Sequence, residues 1–143
     1  MFERFSEEAR VTVHNSKHEA DPMGYPRLDT EHILLALTNN LALINQFFED
    51  ISVITRRDEI FARVPQMPPP AFPRDIPATK AALQALDYAV EEVDNLRDRY
   101  VANRHILLGL LRLEDCLAAQ ILHNNGLSID KVRSRIANSK ESK

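Results

Sequence analysis

The octapeptide TEHILLAL begins at Thr30 and returns as NRHILLGL at Asn103, identical at five of its eight positions. The same offset sets Ser6 opposite Thr79, Ala9 opposite Ala82, Val13 opposite Leu86 and Leu28 opposite Val101, with no gap. A pattern written twice in one chain builds one supersecondary unit twice, and each copy needs a neighbour to cover its apolar face. The expected fold class is therefore all-α: a tandem pseudo-two-fold repeat of two four-helix units, eight helices in all, packed as one domain.

The second copy is the clearer one. Thr79 caps a helix running to about Asn95, with Leu83, Leu86, Val90 and Val93 on one face. Asn103 opens RHILLGLLR, which is apolar almost all round and so belongs at the centre. A third helix, from about Glu114 to Asn124, stops where Gly126 suits the left-handed position past a helix end. Ser128 caps IDKVRSRIA, with Ile129, Val132 and Ile136 facing inward. In the first copy, Ser6 caps EEARVTVHNSKHEA, and two prolines and a glycine make DPMGYPRLD a loop. Thr30, or Asp29 before it, caps EHILLAL; LALINQFFED is the third helix, and TRRDEIFARV, opened by Thr55, is the fourth.

Between the copies lies VPQMPPPAFPRDIP, Val64 to Pro77, which holds six of the eight prolines. Proline removes amide donors and fixes φ, so neither a helix nor a central strand passes through it; it reads as an extended connector. The expected plan is a first repeat over 1–64, a proline-rich linker over 65–77, a second repeat over 78–138 and a polar tail over 139–143.

At 143 residues the chain is long enough for one real core or two small joined ones. Only three glycines and no tryptophan favour helices over a turn-rich β-sandwich. The net charge of −3 speaks against a general nucleic-acid binder. The lone Cys116 cannot close an internal disulfide, which points to a reducing compartment. No apolar run approaches a membrane span, and the charged start MFERFSEEAR does not read as a signal peptide, so a cytoplasmic location is expected, with no membrane partner.

Four groups of residues invite a chemical reading. The two repeated helix starts, Thr30–Glu31 and Asn103–Arg104, expose amide donors and a dipole end that attract anions, although plain capping accounts for the same residues. His32 and His105 occupy equivalent positions, where a hydrogen bond at the repeat interface is favoured over metal or base chemistry. His14 and His18 stand four apart, a spacing that can hold a metal, but no third ligand follows at a recognisable spacing, so no metal and no cofactor are expected. Cys116 sits beside two acids, a setting that does not favour a thiolate, which suits a packed side chain rather than a nucleophile. An apolar docking groove is the fourth candidate: Phe47 and Phe48, with Tyr25 and Phe72 in flanking loops, form a partner surface if they are not core.

MFERFSEEAR, TEHILLAL and HILLGLLRLEDCLAAQILHNNGLS together resemble the N-terminal domain of Clp unfoldase ATPases, the ClpC type most closely, over about residues 1 to 138. That resemblance implies a double helical repeat and a non-catalytic module that docks adaptor proteins or substrate proteins for a Clp ATPase or protease. It also implies that a helix start receives the phosphate of a phosphoarginine while the glutamate, here Glu31, pairs with the guanidinium. In the second repeat Arg104 stands in place of that glutamate, and a cation there repels a guanidinium. No G-x-x-x-x-G-K-[ST] phosphate loop is present, so this chain is not expected to be an ATPase by itself. It reads either as a docking domain of a longer ATPase or as a free-standing accessory subunit of a Clp protease. A helical DNA-binding regulator is a third reading, resting on Arg56, Arg57, Arg63, Lys131, Arg133 and Arg135, and the acidic balance opposes it.

Overall fold

The computed structural model describes residues 3–20, 27–40, 43, 46–47, 78–124 and 126–141. Six helices stand in them: α1 Glu7–Ala20, α2 Thr30–Leu37, α3 Lys80–Asn95, α4 Asn103–Arg112, α5 Leu117–Asn124 and α6 Ile129–Glu141. No strand occurs among the described residues, so the fold is all-α. The expected third and fourth helices of the first repeat fall outside the described residues, except for Leu43, Gln46 and Phe47, which are helical. The proline-rich linker lies outside them as well.

Matching caps start α1 and α3. The Ser6 hydroxyl accepts the Ala9 amide at 3.1 Å, and the Thr79 hydroxyl accepts the Ala82 amide at 3.1 Å. Both satisfy an amide that the helix itself leaves orphaned. Ala9 and Ala82 are buried just behind them.

The two halves are stitched by exchange. Phe5 pairs with Val101 and Ala78 with Leu28 in two isolated parallel bridges. In the repeat alignment Phe5 corresponds to Ala78 and Leu28 to Val101. Each contact is thus repeated with the copies swapped, the mark of a two-fold axis. The Ser6 amide donates to the Val101 carbonyl at 2.8 Å, the Val101 amide to the Arg4 carbonyl at 2.9 Å, and the Thr79 amide to the Leu28 carbonyl at 2.9 Å. The helices follow the same rule: α1 packs on α2 and α3 on α4 within a copy, while α1 meets α4, α2 meets α3, and α2 meets α4 across the axis. The HILL runs of both copies sit in the shared core with Leu86, Val93, Leu122, Val132 and Ile136.

Two boundaries differ from the sequence expectation. The helix expected from Glu114 begins at Leu117, because Glu114 takes a positive φ of 42° that a helix cannot continue through. The Cys116 sulfur accepts the Ala119 amide at 3.3 Å, so this half-buried thiol caps α5. Helix α6 runs to Glu141, past the point where a polar tail was expected. Gly126, by contrast, has the expected left-handed φ of 83°.

Glu92 ties three helices together. It is fully buried on α3, where Arg133 of α6 grips both carboxylate oxygens and Arg112 of α4 lies 3.7 Å away. Pairing of this kind offsets the cost of taking the Glu92 carboxylate out of water.

Thr79 both caps α3 and donates to the Asp29 carboxylate at 3.0 Å, linking a cap of one repeat to a cap of the other. Thr79→Ala removes both bonds. It is expected to cost about 1–2 kcal/mol, the usual loss for a Thr cap, read as a lowered urea midpoint. An unchanged midpoint would show that the link carries no stability.

Candidate functional site

The repeated helix starts are built around their histidines. The His32 Nδ1 accepts the Asp29 amide at 2.8 Å, and the His105 Nδ1 accepts the Ala102 amide at 2.8 Å. This is the role that Glu or Gln plays at the third helical position of a capping box. It settles the first cap on Asp29, the alternative to Thr30, and moves the second one residue earlier than Asn103, to Ala102. An accepting Nδ1 places the ring proton on Nε2 in both histidines. His105 uses that proton toward the Asp98 Oδ2 at 2.6 Å. Burial pushes the His32 imidazole down to about 4, with the Asp29 carboxylate pulling the other way.

The two starts have diverged in charge. At α2 the Asp29 Oδ1 accepts the Thr30 amide at 2.7 Å, and the Thr30 hydroxyl donates to the Glu31 Oε2 at 3.4 Å. Thr30 is buried, and Glu31 is only 7% exposed. Burial pushes the Glu31 carboxyl above its ordinary value; its own backbone amide resists, and the neighbouring Asp29 charge adds to the rise. At α4 the cap residue, Ala102, has no side-chain acceptor. Arg104 stands 3.7 Å from the Asp98 carboxylate, with its side chain 37% exposed. One start presents two carboxylates, and the other presents an open helix end with a guanidinium.

Asn103 is 3% exposed and donates its Nδ2 to the Glu8 Oε1 at 2.9 Å, where Asn40 donates as well. Glu8 was not singled out from the sequence; it is an exposed polar residue of an amphipathic helix, and only the exchange across the two-fold axis brings it to Asn103.

Of the four aromatics of the apolar partner surface, only Phe47 is among the described residues. Phe47 is fully buried and belongs to the same apolar cluster as the two HILL runs, so it is core. Tyr25, Phe48 and Phe72 lie outside the described residues. His14 and His18 meet through their Nε2 atoms at 3.1 Å, with their rings edge-on, and no group of three metal-ligating side chains occurs among the described residues. Of the arginines behind the DNA-binding reading, Arg133 is held by Glu92, and Arg135 donates to the Phe47 carbonyl at 2.6 Å, so neither projects as a free groove reader. No helix among the described residues is long and apolar enough to cross a membrane.

The Clp repeat (R) N-terminal domain family matches residues 4–125 and 77–142. The chain is 31% identical to the chaperone protein ClpB of Oceanobacillus iheyensis over 95% of its own length, and 30% identical to the negative regulator of genetic competence ClpC/MecB of Bacillus subtilis over the same share. It spans 17% of the length of each of these relatives. Among solved structures, it is similar to the Hsp104 N-terminal domain from Candida albicans (TM-score 0.73, 25% identity, 99% of this chain and 94% of that one). It also shares the fold of the ClpD N-terminal domain from Arabidopsis thaliana (TM-score 0.72, 21% identity, 99% and 97% of the two chains). The double repeat, the exchanged bridges and these matches agree, and the chain belongs to the Clp repeat N-terminal domain family.

Proposed function

We propose that this chain is a non-catalytic protein-binding module that docks adaptor proteins or degradation substrates for a Clp ATPase or protease, in the cytoplasm. The observation that carries this reading is the buried Glu31 carboxylate at the start of α2. A desolvated carboxylate with a raised pKa costs stability, and a fold retains such a group most readily where a ligand uses it. Thr30 and Glu31 are the proposed contact, with Glu31 receiving a guanidinium. In a low-dielectric setting that charge-assisted bond is stronger than on open surface.

A phosphoarginine-marked substrate fits this site in part. Glu31 suits the guanidinium, while the Asp29 carboxylate already occupies the Thr30 amide, and a phosphate must displace it. In the second repeat, Asn103 and Arg104 suit a phosphate or carboxylate better than a guanidinium, because Arg104 repels the latter. The same chain serves either as the docking domain of a longer ATPase or as a free-standing accessory subunit of a Clp protease.

The test is calorimetry with arginine and phosphoarginine peptides. Glu31→Ala is expected to weaken binding by about 1–3 kcal/mol, the usual loss for a hydrogen bond to a charged group. Equal affinity for the parent and Glu31→Ala would remove Glu31 from the site. Failure to bind any adaptor, substrate or peptide would remove the function.

A further inference from the structure

The second repeat carries a template for what the first one lacks. Between α3 and α4, the Arg112 guanidinium lies 4.0 Å over the Tyr88 ring and 3.2 Å from Glu91. In the repeat alignment, Asn39 corresponds to Arg112 and Asn15 to Tyr88. Where the second repeat holds its own cation, the first has an open cleft of about 390 Å³ between α1 and the end of α2, with Asn15 and Asn39 on its walls.

The charge of that cleft has changed in the same direction. Glu7 and Glu8 line it, where the second repeat has Lys80 and Ala81. No cationic side chain is among the described residues that line it. Asn103 lines it too, 3% exposed, with its Oδ1 buried and without a hydrogen-bond partner. The amide cannot be turned to relieve this. Glu8 only accepts, so it fixes the Nδ2 toward itself and leaves the Oδ1 in need of a donor. A smaller cleft of about 150 Å³ shares Glu8, Asn40 and Asn103 but has Arg104 on its wall, which turns a cation away from it. On the rim of the larger cleft Val11 is 50% exposed, an apolar rest for an aliphatic stem.

We propose that this cleft binds an unmodified arginine side chain of a partner polypeptide. Glu7 and Glu8 neutralise the guanidinium, and the Asn103 Oδ1 takes one of its N–H groups. Arginine fits better than lysine because its planar fork reaches several acceptors at once. The inference deepens the protein-docking reading by naming the partner's side chain, and it rests on that reading.

The test uses fluorescence anisotropy on the intact chain. The probes are a labelled unstructured peptide with one central arginine and the same peptide with neutral, near-isosteric citrulline. The arginine peptide is expected to bind about tenfold tighter, as a charge-assisted contact does over a neutral one. In Glu7→Gln/Glu8→Gln that preference is expected to disappear, with the thermal melt unchanged because glutamine at position 8 still accepts both asparagine amides. Equal binding of the two peptides overturns the proposal, as does a preference that survives the double substitution. A preference lost in Glu31→Ala instead places the contact at α2 and overturns this proposal while leaving the docking function standing. Absence of binding to both peptides and to unfolded casein overturns both.

Discussion

Gly109→Ala is expected to destabilise the chain by about 3 kcal/mol, more than most single methyl additions to a core. A Cβ built at Gly109 falls 2.1 Å from the Ala85 carbonyl oxygen and 3.1 Å from the Ala89 amide nitrogen. Both are backbone atoms of α3, so no side chain can swing aside, and the helices must separate. The gain in helix propensity from Gly to Ala, about 1 kcal/mol, works the other way and is too small to compensate. Ala85 and Ala89 are fully buried at that contact, so any separation opens voids along the whole seam. Position 36 supplies the internal control. Ala36 corresponds to Gly109, and α1 presents Thr12 and Ser16 where α3 presents Ala85 and Ala89. Ala36→Gly should therefore lose only the propensity term and the burial of one methyl, about 2 kcal/mol together. Urea unfolding measures both variants, with the slope held constant as evidence that only stability has moved. A Gly109→Ala midpoint equal to the parent's would mean that the close approach of α3 and α4 does not exist in solution.

That glycine shows where sequence reasoning stops. One residue differing between two otherwise identical HILL runs was visible, but whether a backbone lies against it depends on the distance between two helices. Features set by local chemistry were legible. Ser6, Thr79 and Ser128 are cap-type residues directly before amphipathic stretches, and each caps its helix. At α2 the two candidate caps, Thr30 and Asp29, resolve to Asp29, whereas at α4 the cap is Ala102, one residue before Asn103, which looks like a cap. Counting back three from each histidine selects Asp29 over Thr30 and finds Ala102, since His at the third position reaches the cap amide. The cleft was illegible for another reason. Glu8, Asn40 and Asn103 are far apart in the chain, and only the exchange of contacts across the two-fold axis brings them together. The repeat predicted the axis but not which polar residues it would leave facing one another. Phe47 was legible as apolar and no more; whether it is core or surface is decided by tertiary packing, which buries it fully.

Acid should unfold this chain through His32, and His32→Gln should protect it. The imidazole titrates at about 4 in the fold against an ordinary value of 6.5. Between those two values the unfolded chain binds more protons than the folded one, so stability falls as the pH falls. The loss starts near pH 6.5, is complete near pH 4 and amounts to about 3 kcal/mol. Geometry gives the same sign independently. The His32 Nδ1 accepts the Asp29 amide, and a proton placed there turns an acceptor into a donor facing a donor. Glu31 works against this effect: its raised pKa lets the folded chain take up a proton before the unfolded one, which returns part of the loss in acid. Glutamine at position 32 can still accept the cap amide, as in an ordinary capping box, but does not titrate. His32→Gln should therefore lie within about 1 kcal/mol of the parent at pH 7, a typical cost for a polar exchange that keeps its bond. At pH 4.5 it should be the more stable of the two by about 2 kcal/mol, most of the linkage term. Urea titrations of both proteins at several pH values decide the matter. Parallel stability profiles for the two would assign the acid sensitivity to some other group and leave the histidine with a purely structural role.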